Sequence, residues 1–256
     1  MARRTLLLDA DIVAYKFSAA TEQVFHFDGK AEEPCVSSDL AEATTLADEY
    51  IEELADSLGA TDVVICLTDS ENFRTAIWPQ YKGNRKGTRK PANLSPLKAH
   101  FRDNHKTYQR PGLEADDCMG ILATHPTLIP GERVIVSEDK DMQTIPGLLF
   151  NPAKDEAPRK ISKLQADLFH MWQTIVGDQS DGYPGAKGVG ERSPEALGVL
   201  ESKSPKEAWG FVKAAYERKG LTEQDAIIQA RLARILRASD WDFQLKRPRL
   251  WVPPRS

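Results

Sequence analysis

Acidic residues follow three of the most apolar segments of the chain. The segments "TLLLDA" (5–10), "DVVICL" (62–67) and "RVIVS" (133–137) are aliphatic and β-branched, a pattern typical of strands that are covered on both faces. The acids at or just beyond their ends are Asp9, Asp11, Asp69, Glu138, Asp139 and Asp141. Because the carboxyl ends of parallel strands share one edge of a sheet, we expect these carboxylates to meet at one rim.

Two further acidic groups have helical spacing. Glu114, Asp116 and Asp117 begin the helix-like segment "LEADDCMGILATH" (113–125), and Asp178 and Asp181 lie three residues apart in "GDQSDG". Any one of these acids could simply cap a helix or lie on a solvated surface. Recurrence at three strand ends favours a shared site over a series of separate caps.

Crowded carboxylates need a counter-charge, because mutual repulsion raises their pKa values and destabilises the fold. Oxygen ligands of this kind suit Mg²⁺ or Mn²⁺ better than Zn²⁺. The net charge is −4, with 38 acids against 34 basic residues. If nine acids lie in one site, 29 remain against 34 cations, so the rest of the surface is net basic, as a nucleic-acid-binding protein requires.

Two segments could bind phosphate. Residues 82–90, "KGNRKGTRK", carry five cations and no acid, although a charge run of this kind is more often a solvated face. The segment "GYPGAKGVGER" (182–192) is rich in glycine, whose lack of a side chain lets backbone N–H groups approach a phosphate.

The secondary-structure pattern predicts two parts. Strands alternate with helices up to about residue 160, including a helix near 38–58 capped by Ser37 or Ser38 and ended by Gly59, and a further strand in "GLLFNP" (147–152). This order predicts an α/β domain over 1–160 with a mostly parallel sheet and helices on both faces. Helical patterns then dominate, which predicts a helical domain over 161–256 that ends in a Pro-rich tail.

Other classes of protein are disfavoured. The sequence contains no run of about 18 apolar residues, so no membrane span is predicted. Asp9 and Asp11 interrupt the first apolar segment, so no secretory signal is expected. Cys35, Cys66 and Cys118 form neither a CxxC motif nor an even set, which favours a reducing cytoplasm. The five histidines are isolated, with no HExxH motif, and are interpreted as structural or surface residues.

Five segments in this order resemble the 5′-nuclease or flap endonuclease superfamily, with the greatest likeness to podovirus-type phage 5′→3′ exonucleases. They are "LLLDADIVAYKF", "LTDSENFRTAIWPQYKGNRK", "LEADDCMGILA", "VIVSEDKDMQTI" and "TIVGDQSDGYPGAKGVG", spread over roughly residues 5–195. The resemblance implies a PIN-like α/β fold, a basic arch segment near 80–110 and a C-terminal helix–three-turn–helix motif. It also implies two or more divalent ions, with K⁺ at the glycine-rich hairpin.

The resemblance assigns site residues by position. The implied metal ligands are Asp9, Asp69, Glu114, Asp116, Asp117, Asp139, Asp141, Asp178 and Asp181. The residues implied to act at the scissile phosphate are Lys16, Tyr81, Lys82 and Arg85. The implied DNA contacts are Lys86, Arg89, Lys90, Gly185, Lys187, Gly188, Gly190 and Arg192. Asp11 and Glu138 have no assigned counterpart and could be accessory or capping acids.

The function that these features predict is a metal-dependent 5′→3′ exodeoxyribonuclease. It would act on 5′ ends of duplex DNA in phage replication or recombination, and on RNA in RNA–DNA hybrids, as a monomer in the host cytoplasm. Three alternatives stay open: a structure-specific flap endonuclease, a PIN-type ribonuclease and a non-catalytic DNA-binding protein. Nine acids facing a polyanion argue against the non-catalytic protein, and the helical second part with its DxxD element argues against the ribonuclease.

Overall fold

The computed structural model describes residues 3–25, 35–85 and 87–254. In chain order the strands are β1 (Arg4–Asp9), β2 (Glu22–Phe25), β3 (Cys35–Ser38), β4 (Asp62–Cys66), β5 (Thr107–Tyr108), β6 (Glu132–Val136), β7 (Gly147–Phe150), β8 (Arg159–Ile161), β9 (Trp241–Asp242) and β10 (Arg247–Pro248). The α-helices are α1 (Ala10–Ala20), α2 (Leu40–Ser57), α3 (Arg74–Ile77), α4 (Leu94–Asn104), α5 (Ala115–Thr124), α6 (Lys163–Val176), α7 (Pro194–Glu201), α8 (Pro205–Glu217) and α9 (Glu223–Ala233). Short 3₁₀ turns span Gly83–Arg85, Lys140–Thr144 and Ala238–Asp240.

A six-stranded sheet in the order β5-β4-β1-β6-β7-β8 forms the centre of the fold. Its first five strands are parallel, and β8 pairs antiparallel with β7. The predicted α/β class with a mostly parallel sheet is therefore confirmed. The chain leaves β1 toward β4 on one side and later returns to β6 on the other. The carboxyl ends of β1 and β6 consequently flank a switch in strand order, where ligands bind in open α/β sheets.

Alternating residues of β1 supply two hydrophobic layers. Leu6 and Leu8 pack with α1, α2 and α4 on one face, and Leu7 packs with α5 on the other. All three side chains are buried. Burial on both faces fits the continuous apolar run of this strand and holds its carboxyl end in a fixed position.

A hairpin of β2 and β3 precedes α2, and the sequence did not predict it. Ser37 and Ser38 pair with β2 in this hairpin, so neither caps the helix. Asp39 is the cap instead, and its carboxylate accepts the N–H of Glu42 at 3.0 Å. The predicted cap was therefore wrong by one or two residues, whereas Gly59 follows the helix with a positive φ, as expected.

The chain beyond residue 161 is mostly helical, and α6 to α9 share one hydrophobic cluster. The segment after α9 then returns to the sheet, where Ile235, Leu236 and Trp241 pack in the same cluster as Leu7 of β1. This return joins the helical part to the α/β part through buried contacts. The predicted boundary near residue 160 stays a prediction. Among the described residues, no helix is long and apolar enough to cross a membrane.

Candidate metal centre and active-site cleft

A cleft of about 1720 Å³ opens at the switch in strand order. Its walls come from the carboxyl ends of β1 and β6, the start of α5, the segment around residue 82 and the loop between α6 and α7. The predicted metal ligands that line it are Asp9, Glu114, Asp116, Asp139, Asp141, Asp178 and Asp181. Asp11 and Glu138, which had no assigned counterpart, line it as well.

The local fold fixes the carboxylates at the strand ends. Asp9 caps α1 by accepting the N–H of Ile12 at 3.3 Å, and it accepts the hydroxyl of Ser137 at 3.1 Å. Asp139 accepts the N–H of Asp141 at 2.8 Å at the start of the 3₁₀ turn. These acids therefore cap helical turns and also line the cleft, so the two interpretations of their sequence pattern are compatible.

Without a cation, several of these acids would retain protons near neutral pH. Burial, followed by the charge of Asp11, raises the pKa of Asp9 to about 7. Burial, followed by the charges of Asp139 and Asp178, raises the pKa of Asp141 to about 7. Enclosure together with Asp9 and Asp139 raises the pKa of Asp116 well above its ordinary value. Excess negative charge in the cleft is the common cause.

This donor set fits hard divalent cations. It offers carboxylate oxygens, and the Oδ1 atom of Asp141 is buried without a hydrogen-bond partner. Among the described residues, three potential ligand atoms within 4.8 Å of one another occur only at Asp48, His100 and His105, outside this cleft. No three cleft carboxylates among the described residues bring their oxygens within that distance of one another.

Asp178 and Asp181 lie in the loop between α6 and α7, which lines the cleft. Burial tends to raise the pKa of Asp178, but hydrogen bonds from the Ser180 hydroxyl and from backbone N–H groups outweigh it and lower that pKa. Burial and the charge of Glu114 raise the pKa of Asp181. The Asp181 carboxylate accepts the Tyr81 hydroxyl at 2.9 Å and the Arg85 guanidinium at 2.8 Å.

Asp117 is not available as a metal ligand. It is fully buried, and its two oxygens form a bidentate ion pair with Arg74, both at 2.8 Å. The same carboxylate accepts the backbone N–H of Leu236 at 2.9 Å. The prediction that Asp117 binds metal is corrected on this ground: its side chain anchors α5 and the return segment to Arg74.

Arg74 is a structural residue that the sequence did not reveal. All five of its N–H groups are used: they reach both oxygens of Asp117, Glu114 at 3.2 Å, and the carbonyl oxygens of Leu232 at 3.0 Å and Arg234 at 2.7 Å. Its side chain is 2% exposed. In the sequence it is one arginine in a polar segment, and only its partners, 40 to 160 residues away, reveal its role.

Glu114 faces cations on both oxygens. One oxygen accepts from Arg74 and from the Tyr81 hydroxyl at 3.0 Å, and the other pairs with Lys82. Burial opposes ionisation, but the charges of Arg74 and Lys82 dominate and lower the pKa of Glu114 to about 2. In this state Glu114 holds the basic segment against the cleft.

The structure does not bring Asp69 to the cleft. The neighbouring Thr68 lines the wall, while the Asp69 carboxylate accepts the N–H of Gly112 at 2.8 Å. This hydrogen bond is the largest influence on its pKa, which is lowered. The expected ligand is thus a cap of the turn before α5. Thr68 also supports α5, because its hydroxyl accepts the N–H of Ala115 at 3.0 Å.

The predicted phosphate-binding residues lie at the cleft, and most are already paired. Lys82, with an unusual φ of +52°, donates its backbone N–H to the carbonyl of Asp181 at 2.7 Å. Burial tends to lower the pKa of Lys82, but Glu114 and Asp181 outweigh it and raise that pKa. Lys16 lines the cleft with its Nζ 4.5 Å from the ring centroid of Tyr50.

Further along the basic segment, the cations are exposed. Arg89 pairs with Glu22 at the end of the hairpin, and the same carboxylate accepts the N–H of Ala92 at 2.7 Å. Lys90 is exposed. Lys86 lies outside the described residues. Glu22 therefore ties the far end of this segment to the hairpin, a contact that the sequence did not predict.

The glycine-rich loop divides into packing and exposed positions. Gly185 is buried, its N–H donates to Gln229 at 3.0 Å, and a Cβ there would lie 2.4 Å from the Gly177 nitrogen. Its predicted DNA contact is corrected, because its N–H is already used within the protein. Lys187, Gly188 and Gly190 are exposed and line the cleft. Arg192 is exposed but is not one of the lining residues.

Comparison with known proteins gives a consistent family. The family model described as "5'-3' exonuclease, N-terminal resolvase-like domain" matches residues 4–147. An exodeoxyribonuclease of Enterobacteria phage T3 is 31% identical over 97% of this chain and 92% of that protein. An exonuclease of Escherichia phage T7 is 31% identical over 97% of this chain and 93% of that protein.

Solved structures support the fold. The T5 D15 protein co-crystallised with metal ions superposes with a TM-score of 0.58 at 18% identity, covering 90% of both chains. A complex of the bacteriophage T5 D15 flap endonuclease with DNA and metal ions gives a TM-score of 0.59 over the same shares. The matched family model spans more than half of the chain, and the T3 and T7 relatives align along nearly all of it. The chain therefore belongs to the 5′-3′ exonuclease family of hydrolytic nucleases.

Proposed function

We propose that this protein is a divalent-metal-dependent 5′→3′ exodeoxyribonuclease that removes nucleotides from 5′ ends of duplex DNA during phage DNA replication or recombination. The observation that carries the proposal is the carboxylate cluster at the switch in strand order, beside Lys82 and Arg85. A cleft of this composition would hold divalent cations, and those cations would attract the negative charge of a phosphodiester. The similarity to the two phage exonucleases along nearly the whole chain supports exonuclease activity, and the matched 5'-3' exonuclease family model supports the direction of hydrolysis.

We propose Asp9, Asp116, Asp139, Asp141, Asp178 and Asp181 as the residues that hold two or more ions, with Mg²⁺ or Mn²⁺ as the physiological metal. Such ions, when bound, activate water and stabilise charge on the phosphate and the leaving oxygen. The chain's own cations have a separate task. Lys82, at the cleft wall, neutralises charge that develops on the phosphate oxygens, and Arg85 orients the same group.

The helical part supplies contacts to the DNA backbone. Lys187, Gly188 and Gly190 are exposed and line the cleft, and in this proposal the Lys187 ammonium and the glycine backbone bind a backbone phosphate. We propose that α6 to α9 contain the helix–three-turn–helix motif, with Arg192 as an outer phosphate contact and K⁺ at the loop. Contacts of this type position a duplex without reading its sequence. The monomeric state and the cytoplasmic location stay predictions.

A structure-specific flap endonuclease is the second candidate. The observation that favours it is the fold similarity to the bacteriophage T5 flap endonuclease. Both activities can use one cleft and differ in whether a single strand passes the basic segment. Removal of RNA from RNA–DNA hybrids would use the same cations and carboxylates, so the two activities should respond to the same substitutions.

The test is digestion of 5′-labelled duplex, nicked, 5′-flap and RNA–DNA hybrid substrates with Mg²⁺ or with excess chelator. We expect short 5′ products from duplex and nicked DNA, and none in chelator. Asp139→Ala should lose most turnover and still bind DNA in Ca²⁺, since one fewer acid repels the phosphates. Digestion of the duplex in chelator would overturn metal dependence. One long product from the flap, with little from the duplex, would favour the endonuclease.

A further inference from the structure

Three potential metal ligands meet at the contact between α2 and α4. Asp48 belongs to α2, His100 to α4, and His105 follows the last turn of α4. The two carboxylate oxygens of Asp48 lie 2.8 Å from the Nε2 atoms of His100 and His105, one oxygen to each ring. One ligand atom from each of the three side chains lies within 4.8 Å of the others.

We propose that Asp48, His100 and His105 bind a divalent transition-metal ion such as Zn²⁺ at a site separate from the carboxylate cleft. None of the three lines that cleft. Two imidazoles and one carboxylate favour zinc and its neighbours over Mg²⁺, which prefers oxygen ligands alone. Three protein ligands leave a fourth position to water, and all three side chains are half-buried, so water can reach them.

The supports of the site are rigid. Phe101, next to His100, is fully buried, and its ring packs edge-on against His105 with the centroids 5.6 Å apart. The His100 and His105 rings also meet edge-on, at 5.9 Å. On α2, the neighbouring Ala47 is fully buried. The ligands therefore stand on packed elements and need only small shifts to surround an ion.

Asn104 determines which ring nitrogen of His100 carries the proton, and metal binding must move that proton. Its Nδ2 group lies 3.0 Å from Nδ1 of His100 and 2.9 Å from the His100 carbonyl oxygen. The bond to the carbonyl identifies this end of the amide as the donor, so Nδ1 accepts and the ring proton is on Nε2, directed at Asp48. When an ion takes Nε2, the proton moves through water to Nδ1, which then needs an acceptor.

This proton requirement makes Asn104 a sharp test. Asn104→Asp would place a carboxylate against the Nδ1–H of His100, an arrangement that strengthens histidine ligation in metal sites. We expect this variant to bind Zn²⁺ about tenfold more tightly than the wild type. A mere hydrogen-bonded clamp of Asp48 and the histidines would gain no metal affinity from the change.

A metal ion at this site would stabilise helix α4, which follows the basic segment. Helix α4 follows that segment, and its Lys98 lies 2.7 Å from Asp11 at the cleft. An ion that joins α2 to α4 would hold Lys98 in place and raise resistance to heat. This effect concerns stability, so it can be measured without any nuclease assay.

The experiment uses the full chain with excess Mg²⁺ to occupy the cleft and Co²⁺ or Zn²⁺ as the probe. We expect one ion per chain, a Co²⁺ absorption spectrum typical of nitrogen ligation, and a higher melting temperature. His105→Gln should abolish all three. His125→Gln, at a histidine outside the site, and Asp139→Ala, in the cleft, should retain them. Circular dichroism checks that each variant is folded.

Two results would overturn the proposal. One is a nitrogen-ligated ion that persists in His105→Gln, because the ion would then bind elsewhere. The other is the absence of any such ion in the wild type, which would leave Asp48, His100 and His105 as a hydrogen-bonded contact between two helices.

Discussion

Neutralising Asp141 should stabilise the metal-free protein. The Oδ1 atom of this carboxylate is buried without a hydrogen-bond partner, and burial together with Asp139 and Asp178 raises its pKa to about 7. Its backbone bonds do not depend on the charge: its N–H donates to Asp139 at 2.8 Å, and its carbonyl accepts the Thr144 hydroxyl at 2.8 Å. Asp141→Asn therefore removes the charge and keeps the turn.

The magnitude follows from the pKa difference. The ordinary pKa of the group is 3.8 and the folded value is about 7. Each unit corresponds to about 1.4 kcal/mol, so the charge costs the folded state at most about 4 kcal/mol. The unfolded chain releases the proton first. The free energy of unfolding therefore falls as pH rises from about 4 to about 7, and the cost is complete above that range.

The expected gain for Asp141→Asn is about 1–3 kcal/mol at pH 8 in chelator, since the asparagine amide must itself be accommodated in the cleft. For a chain of this size that is an increase of roughly 2–9 °C in melting temperature. The gain should fall to less than half at pH 5 and nearly vanish near pH 3, where the group is protonated in both the folded and the unfolded chain. Asp69→Asn is the matched control, because hydrogen bonding lowers the pKa of Asp69 and its neutralisation should bring no gain.

Thermal melts by circular dichroism, in chelator and in Mg²⁺, provide the measurement. In Mg²⁺ the order should reverse, since the wild type gains more from bound ions than a variant with one ligand fewer. A lower melting temperature for Asp141→Asn in chelator at pH 8 would refute the reasoning. The carboxylate would then be a stabilising cap, and its charge would not oppose folding.

Three further predictions test the cations around the cleft. Lys82→Ala should lower single-turnover cleavage at saturating DNA by about 10–100-fold, as loss of a transition-state contact does, and wild-type turnover would remove Lys82 from the chemistry. Glu22→Gln should release Arg89, tighten DNA binding in Ca²⁺ and steepen the salt dependence of that binding by about one unit of slope. Arg89→Ala should make the salt dependence of binding less steep. Identical slopes in both variants would mean that Arg89 does not contact DNA. Arg74→Met should lower the free energy of unfolding in urea by about 3–5 kcal/mol, because Asp117 would be left buried and unpaired. The double variant Arg74→Met with Asp117→Leu should recover part of that loss. A single variant as stable as the wild type would contradict the anchoring role of Arg74.

The acids at the strand ends could be located from the sequence because the geometry of a parallel sheet largely determines where its strands end. A parallel sheet brings the ends of its strands to one edge, so an apolar run followed by aspartate is enough to place Asp9 and Asp139 at one rim. The helix start that carries Asp116 follows the same logic, since its acids lie in the first turn. In each case local pattern and global topology point to the same location.

Asp69 and Asp117 show where this reasoning ends. Both satisfy the pattern, and both face protein donors instead of the cleft: Asp69 the backbone of Gly112, and Asp117 the guanidinium of Arg74. Spacing along a strand or helix predicts which face a side chain shares with its neighbours. It does not predict whether a partner distant in the chain has already taken its oxygens.

The same limit applies to Gly185. Its place in a glycine-rich loop suggests an open backbone N–H, yet that N–H binds Gln229 of α9, and the residue packs against Gly177. The loop needs glycine there because the backbone at the end of α6, from Ile175 to Gly177, lies within 3 Å of where a Cβ would be. Lack of a side chain serves packing at one position and exposure at the next, and composition alone does not separate the two.

The paired state of the cleft explains why its cations and carboxylates belong to one mechanism. Lys82 and Arg85 both contact Asp181, and Lys82 also contacts Glu114, so the metal-free cleft neutralises part of its own charge. A phosphate that enters must compete with these carboxylates for the same cations. Divalent ions would ease that competition by drawing Asp181 toward themselves. Metal and DNA should therefore each strengthen the binding of the other, as linkage requires of two ligands that share one set of charges.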